Sequence, residues 1–249
     1  MIGRGPSTAW PAPRNEFGTT HWSMVLAAAG EMSGAAGQAL EQLCQIYWYP
    51  IYAHLRRRGH DAHAAQDLTQ GFFTRLLEKG AFQSVSPKLG RFRSFLLACL
   101  GNFLANERRN SNTLKRGGSL QFVPLHWDDA EGWYTADQRS DVSADLTYDR
   151  EWALRVLNQA MERLELEAAG SGKTALFTTL KPFLITPTPD GGYDRVAELL
   201  SMTPHSVSMA VMRFRRRFRE VVRESVARTV TTPLELEDEL RHLRAILSQ

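Results

Sequence analysis

An all-α architecture follows from the chain: two helical modules joined by a flexible acidic linker. Three observations carry this. Apolar residues recur at three and four almost throughout, and period-two runs are nearly absent. The 249 residues suffice for one large or two small cores. From Gly117 to Thr147 the periodicity dissolves into Gly, Pro, Asp and scattered aromatics. The expected divisions are a loose leader (1–20), a first module (21–117), the linker (118–147), a second module (148–230) and a helical tail (231–249).

In chain order, "THWSMVLAAA" reads as a short helix with Thr20 as its N-cap. "GQALEQLCQIYWYPIYAHLRRRG" is a long amphipathic helix, expected to bend or break at Pro50, which cannot donate to the helical ladder. "HDAHAAQDLTQGFFTRLLEKG" follows, with Asp61 suited to the N-cap and Gly80 to the C-cap. After the loop "AFQSVSPKLG" comes the helix "RFRSFLLACLGNFLANERRN". The second module opens with "YDREWALRVLNQAMERLELEA" and continues through "KTALFTTLKPFL" to two helices, 193–200 and 204–225. "PLELEDELRHLRAIL" closes the chain as a short acidic helix.

Composition narrows the class. Hydrophobic residues make up 43% of the chain, as in an ordinary globular protein, and no apolar run reaches membrane-spanning length. The first twenty residues lack the apolar stretch of a secretory signal. Cys44 and Cys99 sit in apolar helical patterns without a disulfide framework, so a reducing cytoplasm is expected. The net charge of +3 is unevenly distributed: seven arginines oppose two glutamates from Pro204 to Arg228, whereas acids dominate from Asp128 to Glu151.

Two familiar signals fail on inspection. "AAGSGKT" imitates a phosphate-binding loop, but the first glycine of that motif is replaced by Glu167 after a helical segment. A turn between helices is the simpler reading. His60, Asp61 and His63 have ligand-like spacing, yet no second cluster accompanies them, and a helix start explains them. No metal or other cofactor is expected. No nucleophile–base arrangement stands out either, so no catalytic activity is expected.

The basic segment is more specific. Ala197 is small where two helices of a helix-turn-helix would cross, and Leu199 and Leu200 can close the first helix onto a core. Ser201 takes the turn position that usually holds glycine, which implies some strain at positive φ. Thr203 is a candidate N-cap and Pro204 the first helical residue. Val207, Val211, Phe214 and Phe218 form the buried stripe. His205, Ser206, Ser208, Met209, Met212 and Arg213 then face outward, where such a helix reads base edges in the major groove. Arg215, Arg216, Arg217 and Arg219 would lie near the flanking phosphates. An amphipathic helix with a solvated basic face is the plainer alternative.

On the helix 91–109, Phe92, Phe95, Leu96, Cys99 and Phe103 form an inward stripe. Arg91, Ser94, Ala98, Gly101, Asn102, Ala105 and Arg109 form a second stripe of mostly small residues with arginine at both ends. Small side chains admit a sugar-phosphate backbone, and Asn102 and Asn106 are one turn apart. A core helix with a plain solvated face fits the same residues.

"AAQDLTQGFFTRLLEKGAF" followed by "GRFRSFLLACLGNFLANERRN" resembles domain two of a bacterial RNA polymerase sigma factor. With the later helix-turn-helix, residues 35–230 resemble the two-domain extracytoplasmic-function sigma factors. The resemblance implies that Asp67, Leu68, Gln70 and Phe73 meet the clamp helices of core RNA polymerase. It implies that the loop 80–90 and the following helix, with Arg91, Arg93, Ser94, Asn102, Asn106, Arg108 and Arg109, capture and melt the minus-ten element. The second module would bind the minus-thirty-five element and the polymerase flap. The acidic linker, with Asp128, Asp129, Glu131, Asp137, Asp141 and Asp145, would run through polymerase channels or simply be solvated. Phe95, Asn106 and Gly71 depart from the family's usual Trp, acid and acid. Expected partners are core polymerase, duplex and single-stranded promoter DNA, and an anti-sigma factor where one exists. The alternatives are a helix-turn-helix regulator acting without polymerase and a helical adaptor for an acidic protein. The acidic tail helix is expected to cover Arg215–Arg219.

Overall fold

The computed structural model describes residues 34–77, 91–110, 130–136, 143–184 and 193–248. Every regular element among them is helical, so the all-α expectation holds. The leader, the Thr20 helix, Gly80, the loop 80–90 and four linker acids (Asp128, Asp129, Asp137 and Asp141) lie outside the described residues. The chain divides into two compact units: the described part of one falls within Leu157–Ser225, and that of the other within Phe17–Val156 and Val226–Gln249. Packing thus groups Tyr148, Trp152 and the tail beyond Ser225 with the first module, although the pattern had placed a boundary at 148 and another at 231.

The larger unit is organised by α1 (Gly34–Arg57). Leu40, Leu43, Tyr47, Ile51 and Leu55 are buried, and so are Ile46, Trp48 and Tyr49 on other faces. A helix apolar on most sides must lie in the middle of its neighbours. It runs uninterrupted through Pro50, contrary to the expected break. A helix-interior proline costs about 3 kcal/mol, which the burial of several flanking aromatics can exceed. Gly59, at φ +90°, ends the helix with its amide on the Arg56 carbonyl at 3.0 Å. Asp61 then caps α2 (Ala62–Leu77), its Oδ1 accepting from the Ala64 amide at 2.8 Å. Helix α2 packs on α1 and buries Ala65, Thr69, Phe72, Phe73 and Leu76.

Helix α3 (Phe92–Asn110) buries Phe92, Phe95, Leu96 and Phe103 as expected, with Cys99 half-buried. Phe92 meets Tyr47 edge-on at 5.1 Å, and Phe103 meets Phe72 at 5.8 Å. Within the expected linker lies a helix, α4 (Ala130–Ala136). Arg56 grips Glu131 bidentately, Nη2 donating to Oε1 at 2.6 Å and Nε to Oε2 at 3.1 Å. The Tyr52 hydroxyl donates to the same carboxylate. Trp133 stands edge-on to Tyr49 at 5.1 Å, and the Arg155 guanidinium sits over both Trp133 and Trp48 at 5.2 and 5.5 Å. Glu131 is therefore a structural anchor and not a solvated linker acid.

Helix α5 (Ala144–Gly170) contributes Tyr148, Trp152 and Val156 to this unit and Ala160, Leu164 and Ala168 to the smaller one. The smaller unit adds α6 (Thr174–Leu180), a short 3-10 turn (Lys181–Leu184), α7 (Asp194–Leu200) and most of α8 (Pro204–Ala227). Its core joins Phe177 to Phe214 edge-on at 5.8 Å. Helix α9 (Pro233–Leu247) belongs to the larger unit, with Leu236, Glu239 and Leu243 buried.

Burial opposes the charge on Glu131, but the Arg56 and Tyr52 hydrogen bonds outweigh it and hold its carboxyl below the ordinary value. The pair therefore stabilises the fold above the usual carboxylate range and loses that contribution as pH falls through the lower folded value. Glu131→Gln should cost about 1–2 kcal/mol at neutral pH by urea denaturation, discounted for its partial exposure, with the deficit vanishing in acid.

Candidate nucleic-acid interface

Helix α7, the turn after it and α8 form the most sharply defined candidate. Ser201 ends α7 in the left-handed region, at φ 52° and ψ 43°, as the turn position required. A non-glycine residue there carries about 1–2 kcal/mol of strain. Met202 returns its amide to the Ala197 carbonyl at 2.9 Å, and Ala197 is buried. The Thr203 hydroxyl accepts from the Ser206 amide at 3.2 Å and meets the Ser206 hydroxyl at 2.9 Å. Pro204 opens α8.

Val207, Val211 and Phe214 are buried, whereas Phe218 is only half-buried. Leu199 is 73% exposed and Leu200 half-buried, so the expected closure by both leucines is not what forms. On the opposite side of α8, His205, Ser208, Met212 and Arg216 are exposed at intervals of three and four, a single stripe. Met209 and Arg213 are half-buried beside it, and Ser206 is engaged in the cap.

The arginines of α8 part company. Arg217, assigned to phosphate from sequence, is 5% exposed. It grips Glu167 of α5 bidentately, Nη2 to Oε1 at 2.7 Å and Nε to Oε2 at 3.1 Å. Its Nη1 reaches Glu224 at 3.2 Å and Glu220 at 3.4 Å. Arg163 closes the cluster on Glu224 at 2.7 Å. Hydrogen bonding to Glu167 raises the Arg217 pKa despite burial. Arg217 is a core ion-pair hub and cannot meet DNA without dismantling the unit. Arg215 donates from Nε to the Phe183 carbonyl at 2.8 Å, tying α8 to the 3-10 turn. Arg216 and Arg219 remain exposed. The glycine-rich segment is a turn between helices: Gly172, at φ +68°, and the Lys173 amide on the Ala168 carbonyl at 2.8 Å lead α5 into α6.

On α3, Ser94, Ala98, Gly101, Asn102, Ala105, Asn106, Arg108 and Arg109 are all exposed, and a Cβ at Gly101 would meet open space. The N-terminal end differs from the expected pattern. Arg91 reaches Asp238 at 3.2 Å and Glu239 at 3.3 Å. Arg93 pairs with Asp149 and reaches Glu239 at 3.5 Å, its guanidinium 5.3 Å over the Trp152 ring. Burial opposes the Arg93 charge, but Glu239 and Asp149 prevail and raise its pKa. The tail acids Asp238 and Glu239 thus meet Arg91 and Arg93, whereas the sequence reading directs them to Arg215–Arg219. Spacing explains it: Leu236, Glu239 and Leu243 share the buried face of α9, which carries Glu239 inward with the leucines.

Of the residues expected to face polymerase, Asp67 is exposed beside His63 at 3.2 Å, and Leu68 and Gln70 are half-buried. Phe73 is fully buried against Phe72 at 5.2 Å and belongs to the core. Burial pushes the Cys44 thiol up strongly and the Cys99 thiol up to about 11, so both stay protonated at neutral pH.

Arg217→Ala should destabilise the chain by about 1–3 kcal/mol, since it strands half-buried carboxylates and removes a buried side chain, whereas Arg216→Ala should change stability by under about 0.5 kcal/mol. Ser201→Gly should raise stability by up to about 1 kcal/mol by relieving the left-handed strain. Chemical denaturation reads all three. Compared with protein-family models, curated proteins and solved structures, the chain matches none.

Proposed function

We propose that this chain is a sigma-type specificity subunit that directs core RNA polymerase to promoters. The observation that carries the reading is the α7–α8 pair: a left-handed turn at Ser201, a Thr203 cap, and a continuous exposed stripe of His205, Ser208, Met212 and Arg216. In the proposed helix-turn-helix, the N-terminal half of α8 reads base edges of the upstream element. Arg216 and Arg219 hold the flanking phosphates.

The exposed face of α3 supplies the downstream contact in this reading. Small Ala98, Gly101 and Ala105 admit a strand, while Asn102, Asn106, Arg108 and Arg109 offer donors and charge. Stacking of unpaired bases contributes around 1–3 kcal/mol each and offsets the cost of opening the duplex. Asp67, Leu68 and Gln70 on α2 are the proposed polymerase contacts. An anti-sigma factor would be a further partner, and the role needs no cofactor or catalytic group.

Burial of Phe73 favours the second reading, a duplex-binding regulator independent of polymerase, because it removes one expected polymerase contact. Run-off transcription with purified core polymerase and a promoter library separates the two. Specific start sites support the sigma reading; footprints without transcripts, and no association with core enzyme, sink it. Within it, Arg216→Ala should flatten the salt dependence of upstream duplex binding by about 0.9, the value for one phosphate. Asn102→Ala with Asn106→Ala should reduce open-complex yield, measured by permanganate reactivity, while leaving upstream duplex binding unchanged.

A further inference from the structure

We propose that α9 is an intramolecular competitor for nucleic acid: its acids occupy Arg91 at the start of α3 until a single strand displaces them. This rests on the nucleic-acid reading of α3 and adds a regulation of that same site.

Four observations converge. Both acids that hold Arg91, Asp238 and Glu239, come from α9, so undocking leaves this guanidinium without those partners. Arg93 would keep Asp149 of α5 and the Trp152 ring. The released charge is thus centred on Arg91, at the end of the exposed stripe that runs through Ser94, Ala98, Gly101 and Asn102. Second, the docking is imperfectly satisfied. Glu239 is 1% exposed, and while its Oε1 faces both arginines, its Oε2 has no hydrogen-bond partner among the described residues. A buried carboxylate with one bare oxygen weakens the contact. Asp238 is shared as well, with Arg241 of its own helix at 2.7 Å.

Third, α9 has the means to remain a helix when it leaves. Thr232 and Glu235 form a complete capping box, and Pro233 occupies the first turn. Fourth, the segment before α9 is fastened where the competition occurs. The Phe92 amide donates to the Thr229 carbonyl at 3.1 Å, one residue from Arg91, and Thr229 and Val230 are buried. A tether this close keeps the local concentration of the acids high while leaving the helix beyond it free to swing.

The competition is one of like charges for one cation. Carboxylates stand where phosphates would, and a single strand offers several phosphates at once along the α3 face. His242, which meets Asp149 at 3.0 Å, and the buried Leu236 and Leu243 oppose departure.

The test uses the full chain, without polymerase, and labelled oligothymidine. Asp238→Asn with Glu239→Gln should bind the oligonucleotide at least about three-fold more tightly at low salt, with a salt slope steeper by about 0.7, one single-strand phosphate. Adding Arg91→Ala should abolish the gain. In the unaltered chain, saturating oligothymidine should speed amide exchange across 233–247. Wild-type affinity and slope in the double variant overturn the proposal. So does unchanged exchange across α9 at saturation, which decides the matter even if the double variant folds poorly. Failure to bind core polymerase would sink the sigma reading and leave these outcomes standing, so the two fail separately.

Discussion

A guanidinium taken out of water has to be met by carboxylates, and each unit of this protein is arranged around one such demand. In the larger unit Arg93 draws Asp149 from α5 and Glu239 from α9 to a point over the Trp152 ring. In the smaller one Arg217 draws Glu167 from α5 and is completed by Glu220 and Glu224 of its own helix. Such clusters add little net stability, because desolvation consumes most of the Coulombic gain. Their force lies in the penalty for alternatives: any packing that strands the arginine leaves a charge in a low-dielectric interior. Bidentate geometry adds direction, since two parallel donors fix both position and angle of the accepting helix.

That demand decides which positive charges remain for a ligand. The arginine run of α8 reads as one electrostatic block, yet only part of it faces solvent. Arg217 is consumed by the core and Arg215 by the Phe183 carbonyl, which leaves Arg216 and Arg219 on the outside. The exposed surface of α8 is consequently less basic than its composition, and its N-terminal half presents His205, Ser208 and Met212 in place of charge. In the proposed role, a surface of that kind would suit discrimination by shape and hydrogen bonding more than bulk attraction to phosphate. The same sorting operates on α3, where Arg91 and Arg93 are held at one end while Arg108 and Arg109 stay exposed at the other.

What the sequence disclosed follows the range of the forces involved. The inward stripe of α3, the Thr203 cap and the left-handed Ser201 depend on neighbours within one turn, so spacing alone reveals them. Arg217 depends on Glu167, fifty positions earlier, and local periodicity carries no record of that pairing. Its own spacing did hold a hint: it lies three residues after Phe214 and four before Val221, both buried. The resemblance implies a partner surface for Phe73, although its spacing from Thr69 and Leu76 sets it on one buried face with them. Helix α4 was invisible for a different reason. Seven residues cannot sustain a helix alone, and this one exists because Arg56, Tyr52, Trp48 and Tyr49 hold it.

The tail shows how these two kinds of information combine. Its capping box makes α9 a helix by local rules, but its docking site was set by the inward turn of Glu239 between Leu236 and Leu243. An α9 with only leucines on that face would gain about 1.5–3 kcal/mol per side chain on docking and would hold firmly. With acids alone it would be bound by screened surface pairs and would come loose in physiological salt. Placing a carboxylate with an unbonded oxygen between the leucines subtracts about 1–3 kcal/mol from the apolar gain. The net docking strength is then smaller than the leucines alone would give. Docking of that strength is what a polyanionic competitor can shift, because a ligand moves an equilibrium only by the difference in its affinity for the two states.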